Sequence, residues 1–299
     1  MTKLIISILA AVLDRRTLWR LGRALYMKAR AETSNGIQND GELLMQQQML
    51  RAFAIHKDAL VIFDVGANIG DWTLSLLDVA DELRLDGRLE AHCFEPVPST
   101  SKVLASRLGA HRWGRSTRRI PKAVSSESKV TNMFVVGETA GTNSLHRDAM
   151  TEAGECIQVE TTTIDAYCEE NGVNVIHYLK CDTEGHDVEV LRGARRMFEE
   201  QKILTFQFEY NHRWVYPRHF LADVFEFAKD LLYSLGKITT KGVEVYEEWH
   251  PELERFFDGN YLLIHEKALH WYEIRFGGFD EYNTYVVQRS STPTVSAPA

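Results

Sequence analysis

Val61 to Thr73 reads VIFDVGANIGDWT: an apolar run, an acid, a turn bracketed by Gly66 and Gly70, and a helix start. An apolar stretch without alternation, here Ala59 to Val65, is the pattern of a strand covered on both faces, as in a parallel sheet. Glycines in the following turn let backbone approach a ligand closely, and free amides at a helix start attract a polar or anionic group. The segment therefore demands an α/β chain with a ligand cradle at the carboxyl end of its first strand.

The rest of the chain repeats the rhythm. Strand patterns fall near Glu90 to Phe94, Arg118 to Ala123, Val175 to Cys181, Leu204 to Glu209, Tyr233 to Thr239 and Tyr261 to His265. Helical patterns cover Asp71 to Leu83, Thr100 to Ala110, Asp187 to Gln201 and Pro217 to Leu232, with an earlier one from Asp40, a cap, to His56. Alternation of this kind implies right-handed crossovers and a sheet with helices on both faces. Lys129 to Thr163 breaks it: Thr131 to Val136 and Ile157 to Thr163 are β-rich and flank a Gly/Thr/Asn/Ser segment, so an extra hairpin or flap is expected there. Ser290 to Ala299, SSTPTVSAPA, can bury no face and reads as a disordered tail.

Composition narrows the partners. The chain has 299 residues, 44% of them hydrophobic, and 34 Lys+Arg against 42 Asp+Glu give a net charge of -8. That balance excludes nucleic-acid binding by general electrostatics. The 4 cysteines form no Cys-x-x-Cys pair, so neither a zinc knuckle nor a disulfide framework is indicated and a reducing, cytoplasmic setting is expected. The charge is unevenly spread: residues 1–30 hold seven cations and Asp14 as their one acid, a net +6 that leaves -14 on the remainder. Leu4 to Leu13 is nearly all apolar but too short to span a bilayer, and it lacks a cleavage site of the secretory kind. Leu18, Leu21, Leu25 and Tyr26 then recur at helical spacing beside arginines. Two readings stay open for this amphipathic leader: packing on its own domain or a homo-oligomer partner, or peripheral contact with the inner face of an anionic membrane.

The chemistry of the first turn separates two cofactor classes. Dinucleotide binders need Gly-x-Gly-x-x-Gly, whose middle glycine leaves room for a pyrophosphate. Here Asn68 fills that slot, and Asp64 beside the turn would repel a phosphate but can receive an amine. S-adenosylmethionine carries an ammonium and no phosphate, so Asp64, Gly66, Asn68 and Gly70 suit its amino-acid end. Glu95, closing the next strand in AHCFEP, can hold both ribose hydroxyls, with Ser125 expected near the adenine.

Five segments in order, DVGANIG (Asp64 to Gly70), FEPVPST (Phe94 to Thr100), TTTIDAY (Thr161 to Tyr167), LKCDTEGHDVEVLRGA (Leu179 to Ala194) and FQFEYN (Phe206 to Asn211), resemble the motif set of the FkbM-family methyltransferases. The resemblance runs from about Ala52 to His265. It implies a class I methyltransferase fold, a Rossmann-like, mostly parallel seven-stranded sheet with helices on both faces, and S-adenosylmethionine as cofactor. It also implies methyl transfer to a hydroxyl of a sugar, glycolipid or other small acceptor. The expected organisation is a basic helical leader (1–51), the methyltransferase domain (52–267), a carboxyl-terminal extension (268–289) and the tail (290–299).

Methyl transfer to a hydroxyl requires alignment and removal of its proton. The strand ending at Cys181 delivers Asp182, Glu184 and His186 to the ligand edge of the sheet, and the next delivers Glu209 and Asn211. Asp182, Glu184, His186 and Glu209 are the catalytic candidates, with Asp182 also a cofactor contact. Asp182, Glu209 and Asn211 would present three oxygens suited to a magnesium ion. Gly141, Thr142, Asn143 and Ser144 could bond cofactor or acceptor, and His212, Arg213, Trp214, Tyr216 and Arg218 could form a carbohydrate platform or pack as core. Two other readings are a nicotinamide-dependent oxidoreductase, against which Asn68 and Asp64 weigh, and a non-catalytic adenosyl-ligand scaffold.

Overall fold

A computed structural model describes residues 2–32, 36–54, 59–85, 87–137, 141–147 and 151–292. The strands are β1 (Leu60–Val65), β2 (Leu89–Phe94), β3 (Thr117–Ile120), β4 (Ala123–Val124), β5 (Val130–Val135), β6 (Glu155–Thr162), β7 (Tyr178–Cys181), β8 (Thr205–Tyr210), β9 (Tyr233–Thr239), β10 (Gly242–Tyr246), β11 (Gly259–His265), β12 (Ile274–Phe279) and β13 (Tyr285–Ser291). The helices are α1 (Thr2–Val12), α2 (Arg15–Ala29), α3 (Glu42–Ala54), α4 (Asp71–Glu82), α5 (Pro98–Ala110), α6 (Ile164–Asn171), α7 (Asp187–Arg192), α8 (Arg195–Glu199) and α9 (Leu221–Ala228).

Seven strands form the expected sheet in the order β3-β2-β1-β7-β8-β11-β9. The first five run parallel, and β11 is inserted antiparallel to both β8 and β9. Three more strands extend it at the β9 edge, where β10 pairs antiparallel with β9, β12 parallel with β10 and β13 antiparallel with β12, giving ten in all. Residues expected to be an extension beyond the domain thus complete the main sheet. Ser290 and Ser291, expected in a disordered tail, pair with Arg275 and Ile274, whereas residues 293–299 lie outside the described residues.

Alternation along β1 explains the layers. Leu60 and Ile62 join Met45, Met49, Leu76 and Leu77 of α3 and α4 on one face. Phe63 and Val65 join Val190, Phe198, Phe206 and Trp214 on the other. Each face removes a broad apolar area from water at roughly 25 cal/mol per Å², and the polar residues of the central strands, Asp64, Lys180 and Gln207, are buried with partners.

Two expected elements are broken, each for a local reason. Arg118 to Ala123 divides at Pro121, which has no N–H for the ladder, so β3 stays in the main sheet while β4 joins β6 and β5 in a separate three-stranded sheet. That second sheet holds the expected hairpin, with Val130 opposite Glu160 and Val135 opposite Glu155. The helix expected from Asp187 to Gln201 stops at Gly193, where a Cβ would lie 2.1 Å from the Ser125 carbonyl oxygen. It restarts because the Asp165 carboxylate accepts from the Arg196 and Met197 amides at 2.8 and 3.0 Å. The helix expected over Pro217 to Leu232 is confined to α9, and the expected end of the early helix at His56 falls outside the described residues.

Candidate active site

The loops after β1 and β7 touch through backbone. Gly66 has φ +78°, and a Cβ there would fall 2.0 Å from the Asp182 carbonyl oxygen, so only glycine permits the contact. Asn68 also sits in the left-handed region, with φ +47°. Gly70, φ +87°, opens α4 where a Cβ would meet Leu104 at 2.7 Å. Glu95 follows β2, and its carboxylate accepts from the Asn68 amide at 3.0 Å and the Val97 amide at 2.9 Å. Burial pushes its pKa up to about 7.

These loops wall an open cleft. Gly66, Asn68, Glu95, Asp182 and Glu184 supply its polar side, and Val65, Phe94, Val124, Met133 and Leu145 its apolar side. A second cleft of about 850 Å³ opens on the other side of Gly66, Asn68, Gly141, Asp182 and Glu184, which line both. Asp40, Glu42, Asp71, Glu209, Asn260 and Lys180 also line it, beside the apolar Ile37, Ala67, Ile69 and Trp72.

Lys180 organises the charge. Its ammonium lies 3.0 Å from Asp182 Oδ2 with a side chain only 8% exposed. Burial alone would lower its pKa, but Asp182, Asp64 and Glu42 outweigh burial and raise it. Glu42 is pushed up to about 8, mainly by burial, and accepts from the Gln207 amide. Glu184, in a left-handed conformation at φ +55°, accepts from Arg213 Nη1 at 2.6 Å and is pushed up to about 7 by burial and then by Asp182. Glu209 is held well above the ordinary carboxylate range by burial, then by Asp182 and Glu184.

The structure thus brings Gly66, Asn68, Glu95, Asp182, Glu184 and Glu209 to the two clefts. It does not bring Asp64, which is fully buried under the turn and accepts from Thr73 Oγ1 at 2.5 Å. Ser125 and His186 face each other instead, with His186 Nε2 2.9 Å from Ser125 Oγ and Nδ1 2.9 Å from His146. Both ring nitrogens are engaged, and burial followed by His146 lowers the His186 pKa to about 3, so the ring is neutral at pH 7. Asn211 is also committed: its amide donates to Glu209 at 2.7 Å and its oxygen accepts from the Arg213 amide at 2.8 Å. The convergent carboxylates are Asp182, Glu184 and Glu209, each with an oxygen within 4.8 Å of the others. Of the carbohydrate-platform candidates, Trp214 is core and Arg213 is buried on Glu184.

Sequence reasoning missed Met133 and Leu145, contributed by the flap, as well as Glu42, and took Asp40 for a helix cap alone. It named Gly141 and Asn143, which do line the first cleft.

Glu95 and Asp187, the latter also pushed up to about 7 by burial and Asp182, bind a proton more tightly folded than unfolded. Their contribution to stability is fully present below their ordinary values of 4.5 and 3.8 and is lost as pH rises through about 7. The urea midpoint of the ligand-free protein is therefore expected to fall between pH 5 and pH 7.5; a flat or rising midpoint would contradict this assignment.

A parallel sheet with one inserted antiparallel strand, a glycine turn after its first strand and an acid after its second define a class I, S-adenosylmethionine-dependent methyltransferase architecture. Residues 64–235 match the methyltransferase FkbM domain, and the chain belongs to that family. Among solved structures it is similar to a methyltransferase FkbM from Methylobacillus flagellatus, at 15% identity and TM-score 0.44, over 69% of this chain and 44% of that one. The chain thus spans less than half the length of that relative. It is also similar to the O-methyltransferase TomG from Streptomyces achromogenes, solved in complex with S-adenosylmethionine, at 12% identity and TM-score 0.39 over 74% and 79% of the two chains. Among curated proteins, none matches the chain.

Proposed function

We propose that the protein transfers the methyl group of S-adenosylmethionine to a hydroxyl of an uncharged or cationic polyhydroxy acceptor, such as a sugar. The observation that carries this reading is the pair of clefts that share the wall Gly66, Asn68, Asp182 and Glu184, one half apolar with a carboxylate, the other lined by acids.

The cofactor fits the residues present. Glu95 would hold the ribose, the apolar side around Phe94, Val124 and Met133 would take the adenine, and Asn68, whose Oδ1 is buried with no partner, would meet the ammonium. When bound, S-adenosylmethionine supplies an electrophilic methyl on a sulfonium sulfur. The protein's share is to orient a hydroxyl and take its proton. Glu209 in the acidic cleft binds a proton more tightly than an ordinary carboxylate, which makes it the stronger base. Lys180 keeps Asp182 paired, and Arg213 holds Glu184 in place beside it. Even with Glu42 and Glu209 holding protons, the aspartates at 40, 71 and 182 outnumber the one lysine of the cleft, so a phosphate-bearing part of an acceptor would stay outside it.

Calorimetric titration tests the cofactor. S-adenosylmethionine should bind at micromolar Kd, and Glu95→Ala should weaken it at least about tenfold, roughly the loss of one or two hydrogen bonds to a charged group. Tighter binding of NADH than of S-adenosylmethionine would overturn the reading. The three convergent carboxylates also suit a magnesium ion, which would acidify the hydroxyl in place of a carboxylate base. Methyl transfer lost in EDTA and restored by magnesium would assign them to that role.

A further inference from the structure

The leader is not used by either cleft. Helix α1 is apolar apart from Thr2, Lys3 and Ser7, and most of its apolar side chains stand out in solvent: Leu4 is 66% exposed and Val12 77%. Helix α2, capped by Asp14, buries none of its residues and carries Trp19 at 69% and Leu25 at 61% exposure. No helix among the described residues is long and apolar enough to cross a membrane.

The side-chain contacts of α2 with the segment around Glu252 and Phe257 fall on one side. Tyr26 Oη donates to Glu252 at 2.6 Å, Arg30 reaches the same carboxylate at 3.5 Å, and the Arg23 guanidinium lies 5.5 Å from the Phe257 ring centre. At 3.6 residues per turn Arg23, Tyr26 and Arg30 share a face, and Leu18, Leu21 and Leu25 occupy the opposite one. Three of the four stripe residues, Leu18, Leu21 and Leu25, therefore face away from the domain while Tyr26 docks on it, so packing on the domain accounts for Tyr26 and leaves the leucines unexplained. A second copy is disfavoured by charge, because an isologous contact would bring two sets of seven cations together with one acid each. An anionic lipid surface complements both features: it takes apolar side chains to the depth of the headgroups and attracts the cations of the polar face.

We propose that α1 and α2 form an interfacial anchor for an anionic membrane. Its position matters, because the chain leaves α2 and within a short stretch supplies Gly36, Ile37, Asp40 and Glu42 to the acidic cleft. Docking of the leader brings the wall of that cleft next to the lipid.

The test is co-flotation of the full chain with vesicles of phosphatidylcholine alone or mixed about three to one with phosphatidylglycerol, alongside light scattering. Recovery with the anionic vesicles should exceed that with the neutral ones by about tenfold and fall as salt rises from roughly 0.05 to 0.5 M. The double variant Ile5→Glu, Ile8→Glu should lose flotation by about tenfold or more with unchanged affinity for S-adenosylmethionine. Glu95→Ala should float like the parent, which separates the anchor from the proposed chemistry. Failure of the folded parent to float on anionic vesicles would overturn the proposal. So would a dimer that the double variant returns to monomer without any flotation of the parent.

Discussion

Glu209→Gln is expected to lower methyl transfer by about 10² to 10⁴-fold while leaving the affinity for S-adenosylmethionine within a factor of about two, because general-base assistance is lost and the cofactor wall is not. Glu209 belongs to the acidic cleft and is absent from the wall of the first. The raised pKa of Glu209 adds a pH signature. A base must be unprotonated to act, so the rate should climb with pH through a value above 4.5, and that limb should vanish in the glutamine variant. A variant with full activity would remove Glu209 as the proton acceptor.

Lys180→Met is expected to cost about 1 to 3 kcal/mol of stability, below the range for a fully buried ion pair because Asp182, the acid it pairs with, is 37% exposed. The loss exceeds that of an ordinary truncation because Lys180 faces three acids, Asp182, Asp64 and Glu42, and two of them are buried. Asp64 has Thr73 as its hydrogen-bond donor, and Glu42 has Gln207. Without the ammonium these acids hold their protons more tightly, so the deficit should shrink as the pH is lowered toward 4. Denaturation at pH 5 and pH 7.5 would show it; an equal deficit at both would mean that lost packing, not charge, dominates.

Much of this was legible in the sequence because its signals are local. The apolar run before Gly66, the acid closing β2 and the β-rich stretches of the flap each depend on residues near one another. What stayed illegible depends on distant packing. An acid at a strand tip reads the same whether it faces a ligand, as Glu95 does, or the helix beneath, as Asp64 does. The pairing of Ser125 with His186 joins segments with no common pattern. The strands β12 and β13 hide behind glycines at 277 and 278 and an exposed edge, where no hydrophobic alternation marks them. Pro121 and Gly193 were visible, but only the contacts around them turn a tolerated residue into a break.

The sheet order also sets a timetable for the chain as it is made. β1 can pair with β2 soon after both emerge, but its other edge waits for β7, whose Tyr178 lies opposite Ile62. Throughout that interval the most apolar strand of the molecule has an open backbone edge. The hairpin of β5 and β6 is synthesised within the same window and pairs within itself, Val135 opposite Glu155. Synthesis that stalls between residues 124 and 178 should therefore leave a nascent chain that binds chaperones through β1, and release should coincide with the arrival of β7.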